Sequence, residues 1–108
     1  IPFYEWNKTY LKWLREELKE VEEEIKENNS VYLEDELWDV FWDYLCFLHS
    51  LENEWKITSV DKVFERCYKK FGERVWFDWN WWHNWQEIKD KQKQELSLEH
   101  NKLYHNDR

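Results

Sequence analysis

The chain has 108 residues, 42% apolar and 37% charged, with a net charge of -8 from 24 Asp and Glu against 16 Lys and Arg. That length suits one domain around one core, and the chain is too apolar to be disordered despite its charge. The acidic balance repels phosphate and no dense Lys and Arg cluster overrides it, so neither nucleic acid nor an anionic membrane is an expected partner; the longest nearly apolar stretch, Leu37 to Leu48, holds Asp39 and Asp43 and falls short of a membrane span.

From Tyr4 to Lys26, Tyr4, Leu11, Leu14, Leu18, Val21 and Ile25 keep a three-four spacing that predicts an amphipathic helix. A second stripe, Phe3, Trp6, Tyr10 and Trp13, ends where Glu17, Glu20 and Glu24 take over its positions. Asn28-Asn29-Ser30 supplies turn and cap chemistry. The second helix, about Val31 to Asn53, carries Leu37, Phe41, Tyr44, Leu48 and Leu51 on one stripe. Trp38, Trp42, Leu45, Val40 and Phe47 widen it, and Asp35, Asp39, Asp43 and Ser50 are left as a thin polar seam. So broad an apolar surface predicts that this helix is the most buried.

The third helix opens at Thr58 or Ser59, with Thr58-x-x-Asp61 as a capping box, and presents Val60, Val63, Phe64, Cys67 and Phe71. Gly72, the only glycine, stands where a left-handed C-cap would end it. A fourth helix runs from about Asp78 to Tyr104, with Trp81, Trp85, Ile88, Leu96 and Leu103 as a sparse seam and a wholly polar middle, Lys89 to Glu95, expected to be exposed or frayed. Four helices and short turns predict an all-α, compact antiparallel bundle forming a single domain over residues 1–108.

Ten Trp is several times ordinary usage, and the richest cluster is Trp76, Phe77, Trp79, Trp81, Trp82 and Trp85. At 100° per residue these rings girdle the start of the fourth helix, so no single core-facing stripe takes them all. They either plug the bundle or form a contact surface for a protein partner or a second copy; the surface reading assigns these six residues as the binding site. Cys46 and Cys67 lie level in a hairpin centred near residue 56, which predicts a disulfide, although their faces differ. Asp35, Asp39 and Asp43 align beside Trp38 and Trp42, but no second element is identifiable as supplying an opposing acid, so no catalytic residue is assigned. His49, His83, His100 and His105 lack a third ligand nearby, and neither metal nor cofactor is implied.

Ile1-Pro2 suits the new end left by signal-peptide removal, and the sequons Asn7-Lys8-Thr9 and Asn28-Asn29-Ser30 suit a secreted or extracellular protein. Glu5-Trp6-Asn7-Lys8 and Asn53-Glu54-Trp55-Lys56, in a Trp-rich and Ala-free text, give a compositional likeness that resembles the tryptophan-rich antigens of malaria parasites; it implies a helical surface or secreted protein engaging a host receptor and transfers no functional residue. Tyr44-Leu45-Cys46 and Cys67-Tyr68 resemble the secreted bicycle effectors of aphids, without their paired Cys-x-Tyr-Cys motif. The expectation is a small secreted helical interaction protein, effector-like or antigen-like and not an enzyme. The alternatives are a structural or designed bundle without a natural ligand, and an apolar small-molecule binder.

Overall fold

The computed structural model describes residues 5–75 and 81–105, and for Val75 and residues 81–84 the backbone alone. Four helices follow one another: α1 (Asn7–Glu24), α2 (Ser30–Asn53), α3 (Val60–Val75) and α4 (Trp81–Tyr104), with no strand among the described residues. The all-α expectation holds. Tyr4 and Asp78, where the first and fourth helices were expected to begin, lie outside the described residues, as do Ile1, Pro2 and Phe3. The chain divides into two compact units, Ile1–Val60 and Asp61–Arg108.

In the first unit, α1 packs against α2. Leu11, Leu14 and Val21 of α1 are half-buried, as are Leu33, Val40 and Phe47 of α2, and Leu48 is buried. The turn between the helices is made by asparagines. Asn28 takes a left-handed φ of 55°, which Asn tolerates better than most residues, and the Asn29 Nδ2 donates to the Glu24 carbonyl at 2.8 Å and to the Glu24 carboxylate at 2.6 Å. Asn29 thus secures the end of α1 and makes no side-chain cap on α2.

At the far end of α2, Trp55 N–H donates to the Glu52 carbonyl at 3.1 Å and Lys56 N–H to the Leu51 carbonyl at 2.9 Å, the paired bonds of a Schellman stop. Trp55 holds the left-handed position of that stop, φ 62°, where glycine normally sits, and is 92% exposed. Two bonds then tie the neighbourhood together: Asn7 Nδ2 donates to the Glu54 carboxylate at 2.9 Å, and Val60 N–H donates to the Glu52 carboxylate at 3.1 Å.

Burial on α2 departs from expectation. Trp38, Phe41, Trp42 and Leu37 remain between 48% and 60% exposed, whereas Asp39 and Asp43 of the polar seam are half-buried and Ser50 is buried. The reason lies on α1: its second stripe changes from aromatic to acidic at Glu17 and Glu20, and α2 meets it with its own acidic edge.

In the second unit, α3 and α4 are joined by polar contacts around two buried residues, Arg74 and Gln92. Arg74 Nε donates to Gln92 Oε1 at 2.8 Å, while Gln92 Nε2 donates to the Lys70 carbonyl at 3.1 Å and to the Glu73 carboxylate at 2.8 Å. Arg74 also lies over the rings of Phe71 and Trp85, 5.6 and 4.8 Å from their centroids. These contacts carry α3 through Gly72 to Val75, so the glycine sits inside the helix and has no positive φ. The intrinsic cost of glycine there, about 1 kcal/mol against alanine, is offset by the contacts of Phe71 and Arg74 on either side. The polar middle of α4 is helical and packs through Gln92.

Candidate functional site

Carboxylates converge where α1 meets α2. Glu17 and Glu20 are one turn apart on α1, and Glu36, Asp39 and Asp43 follow at spacings of three and four on α2, so each set shares a face. The nearest carboxylate oxygens of Glu17, Glu20 and Glu36 all lie within 4.8 Å of one another, and so do those of Asp35, Glu36 and Asp39. Glu36 belongs to both groups and joins them across the helix pair.

The electrostatics of this cluster are unfavourable without a counter-charge. One oxygen of Glu17 and one of Glu36 are buried with no hydrogen-bond partner. Loss of water, followed by the neighbouring Glu20, Glu36 and Asp43, pushes the Glu17 carboxyl up to about 7. Loss of water also raises Glu36, with Glu20 and Asp39 adding to it, and raises Asp43 with help from Asp39 and Glu20. Like charges gathered in a half-dry cleft disfavour ionisation, and oxygen ligands of this kind suit a hard divalent cation such as Mg2+. The orphaned oxygens fit such an ion, and the residues that would hold it are Glu17, Glu20, Glu36 and Asp39.

The sequence profile of the MazG nucleotide pyrophosphohydrolase domain matches residues 5–76, about two thirds of the chain. The chain belongs to the MazG nucleotide pyrophosphohydrolase family. No curated protein and no solved structure matches it. The MazG segment runs from the start of α1 into the end of α3 and contains every carboxylate of the cluster.

Membership of a hydrolase family overturns the reading of a secreted, effector-like or antigen-like interaction protein without enzymatic activity. The acid expected to be missing opposite Asp35, Asp39 and Asp43 is supplied by Glu17 and Glu20, which α2 brings close by folding back on α1. The signal was present as the acidic takeover of the second α1 stripe, facing an acidic seam of the same period.

The predicted disulfide is also corrected: Cys46 and Cys67 are both free thiols. Cys46 is half-buried on α2 and Cys67 is exposed on α3. Burial and the neighbouring Asp43 raise the Cys46 thiol, which keeps it protonated.

Of the aromatic belt, Trp76, Phe77 and Trp79 lie outside the described residues, and Trp81 and Trp82 are placed by backbone alone in the first turn of α4. Trp85 is half-buried and packs on Phe71 with ring centroids 6.5 Å apart. No helix among the described residues is long and apolar enough to cross a membrane.

Proposed function

We propose that the chain hydrolyses a phosphoanhydride bond of a nucleotide, using Glu17, Glu20, Glu36 and Asp39 to hold a divalent cation. The observation that carries this reading is the meeting of two acidic faces, from α1 and α2, inside the segment that the MazG profile matches. A cation held by these four carboxylates would supply positive charge against the phosphates and the departing group. Asp43 stands beside Glu20 and Asp39 but outside both ligand groups. Its carboxylate accepts a proton from the attacking water as the new P–O bond forms and the bridging P–O bond breaks, leaving the electron pair on the departing phosphate.

The test is to incubate the purified chain with a panel of nucleoside triphosphates and Mg2+ and to separate the products by anion exchange. Conversion that falls at least about a hundredfold in Glu36→Gln supports the proposal. A folded wild-type chain that leaves every nucleotide of the panel intact overturns it.

A second reading concerns assembly. The exposed strip of Trp38, Phe41 and Trp42 on α2 is more apolar surface than an isolated small unit normally leaves in water. It supports self-association, with a second copy covering the strip. Light scattering that finds a dimer in the wild type and a monomer in Trp38→Glu supports this, and a wild-type monomer at all concentrations overturns it.

A further inference from the structure

We propose that the groove between α3 and α4 binds an oligophosphate anion, a short chain of linked phosphates. The net charge of -8 conceals an asymmetry: the first unit has six Lys and Arg against fifteen Asp and Glu, whereas the second has ten against nine. Within the second unit the cations are concentrated. Arg66, Lys69, Lys70 and Arg74 recur at spacings of three and four along α3, and Lys89 and Lys93 do so on α4, and all six line one groove of about 550 Å³. That volume is in the range of small-molecule sites.

Two carboxylates, Glu95 and Glu99, share the lining. Each is already committed: Arg66 binds Glu99 through two bonds of 2.7 and 3.2 Å, and Lys69 approaches Glu95 at 3.6 Å. Lys70, Lys89, Lys93 and Arg74 therefore remain, and against the single Glu73 carboxylate at the floor they leave a local positive excess in an otherwise acidic chain. Its floor is built rather than incidental, because the buried Arg74 is fixed by Gln92, and Gln92 in turn by the Lys70 carbonyl and Glu73. Lysines around a fixed guanidinium suit a multiply charged anion whose negative charge is spread over several oxygens, which phosphate chains provide and a single carboxylate does not. The ligand could be free pyrophosphate or the phosphate tail of a nucleotide. The inference does not depend on the proposed hydrolysis, since it draws on none of the α1 and α2 carboxylates.

The experiment uses the whole chain, stripped of metal over a chelating resin, so that the acidic cluster has no cation to recruit phosphate. Pyrophosphate binding is measured by calorimetry for the wild type, K89Q/K93Q, E95Q and E36Q, with helical content checked by circular dichroism. Removing two of the charges should weaken binding about tenfold, whereas removing the competing Glu95 should tighten it about threefold. E36Q should bind as the wild type does, even if hydrolysis is lost. ATP and tripolyphosphate are then compared: tighter binding of ATP assigns the groove to a nucleotide tail, and equal binding to a free phosphate chain. No heat of binding with the metal-free wild type, or equal affinity in the wild type, K89Q/K93Q and E95Q, overturns the proposal.

Discussion

Replacing Glu17 by Gln should stabilise the metal-free protein above neutrality while weakening its hold on a divalent cation. The folded chain keeps the Glu17 proton until about pH 7, against an ordinary value of 4.5. Between those values the folded state binds more protons than the unfolded state, so stability from this group is complete below about pH 4.5 and drains away as pH rises through 7. At about 1.4 kcal/mol per pH unit the full cost of ionising it is about 3 kcal/mol. Glu17 is only half-buried, and water screens the cost to about 1–2 kcal/mol. For a unit of 60 residues this corresponds to roughly 8–16 °C in Tm. The assay is thermal unfolding followed by circular dichroism at pH 5 and pH 8 with a chelator present. Glu17→Gln should match the wild type at pH 5 and exceed it at pH 8, and Mg2+ should restore the wild type at pH 8 but help the variant far less. Wild-type melting that is indifferent to pH across this interval, or a variant without its advantage at pH 8, would refute the reasoning.

Cation uptake should itself strengthen as pH rises from 6 to 8, because Glu17 must lose its proton to become a ligand; calorimetry in buffers of different ionisation heat should detect proton release on binding. Trp55→Gly should raise stability by about 0.5–1 kcal/mol in a denaturant titration, since the exposed indole gives up little packing and glycine relieves the left-handed φ. Gln92→Leu should cost about 1–3 kcal/mol by leaving Arg74 Nε without its partner, seen as a lower denaturation midpoint with unchanged slope. A maleimide should label the exposed Cys67 at least about tenfold faster than the half-buried Cys46, resolved by mass spectrometry after digestion, and the untreated chain should carry two titratable thiols.

The helices were legible because their three-four periodicity runs over many residues. α2 and the end of α4 fall within a residue of where the pattern places them. Gly72 misled because a lone glycine signals a stop only when tertiary contacts do not favour continuation, and the Arg74–Gln92 bond is invisible in a linear text. The carboxylate cluster was half legible. Asp35, Asp39 and Asp43 stood out as an aligned row, but an acidic residue on a helix is ordinarily a solvated one. Only the packing of α1 on α2 reveals that Glu17 and Glu20 face that row. The tryptophans drew attention to residues 76–85, whereas the aromatic surface that the structure exposes on α2, Trp38 and Trp42, had been expected to fill the core.

A hairpin whose two halves repel one another through their own side chains has a lifetime tied to its surroundings. If the ion that the cluster suits is abundant at a hundred times its dissociation constant, occupancy adds about 2.7 kcal/mol to the folded state, which lowers the opened population roughly a hundredfold. Proteases act on that opened population when opening is rapid. Removing the ion would then do more than halt the proposed hydrolysis: it would shorten the survival of the protein, so that its abundance would follow the supply of the ion.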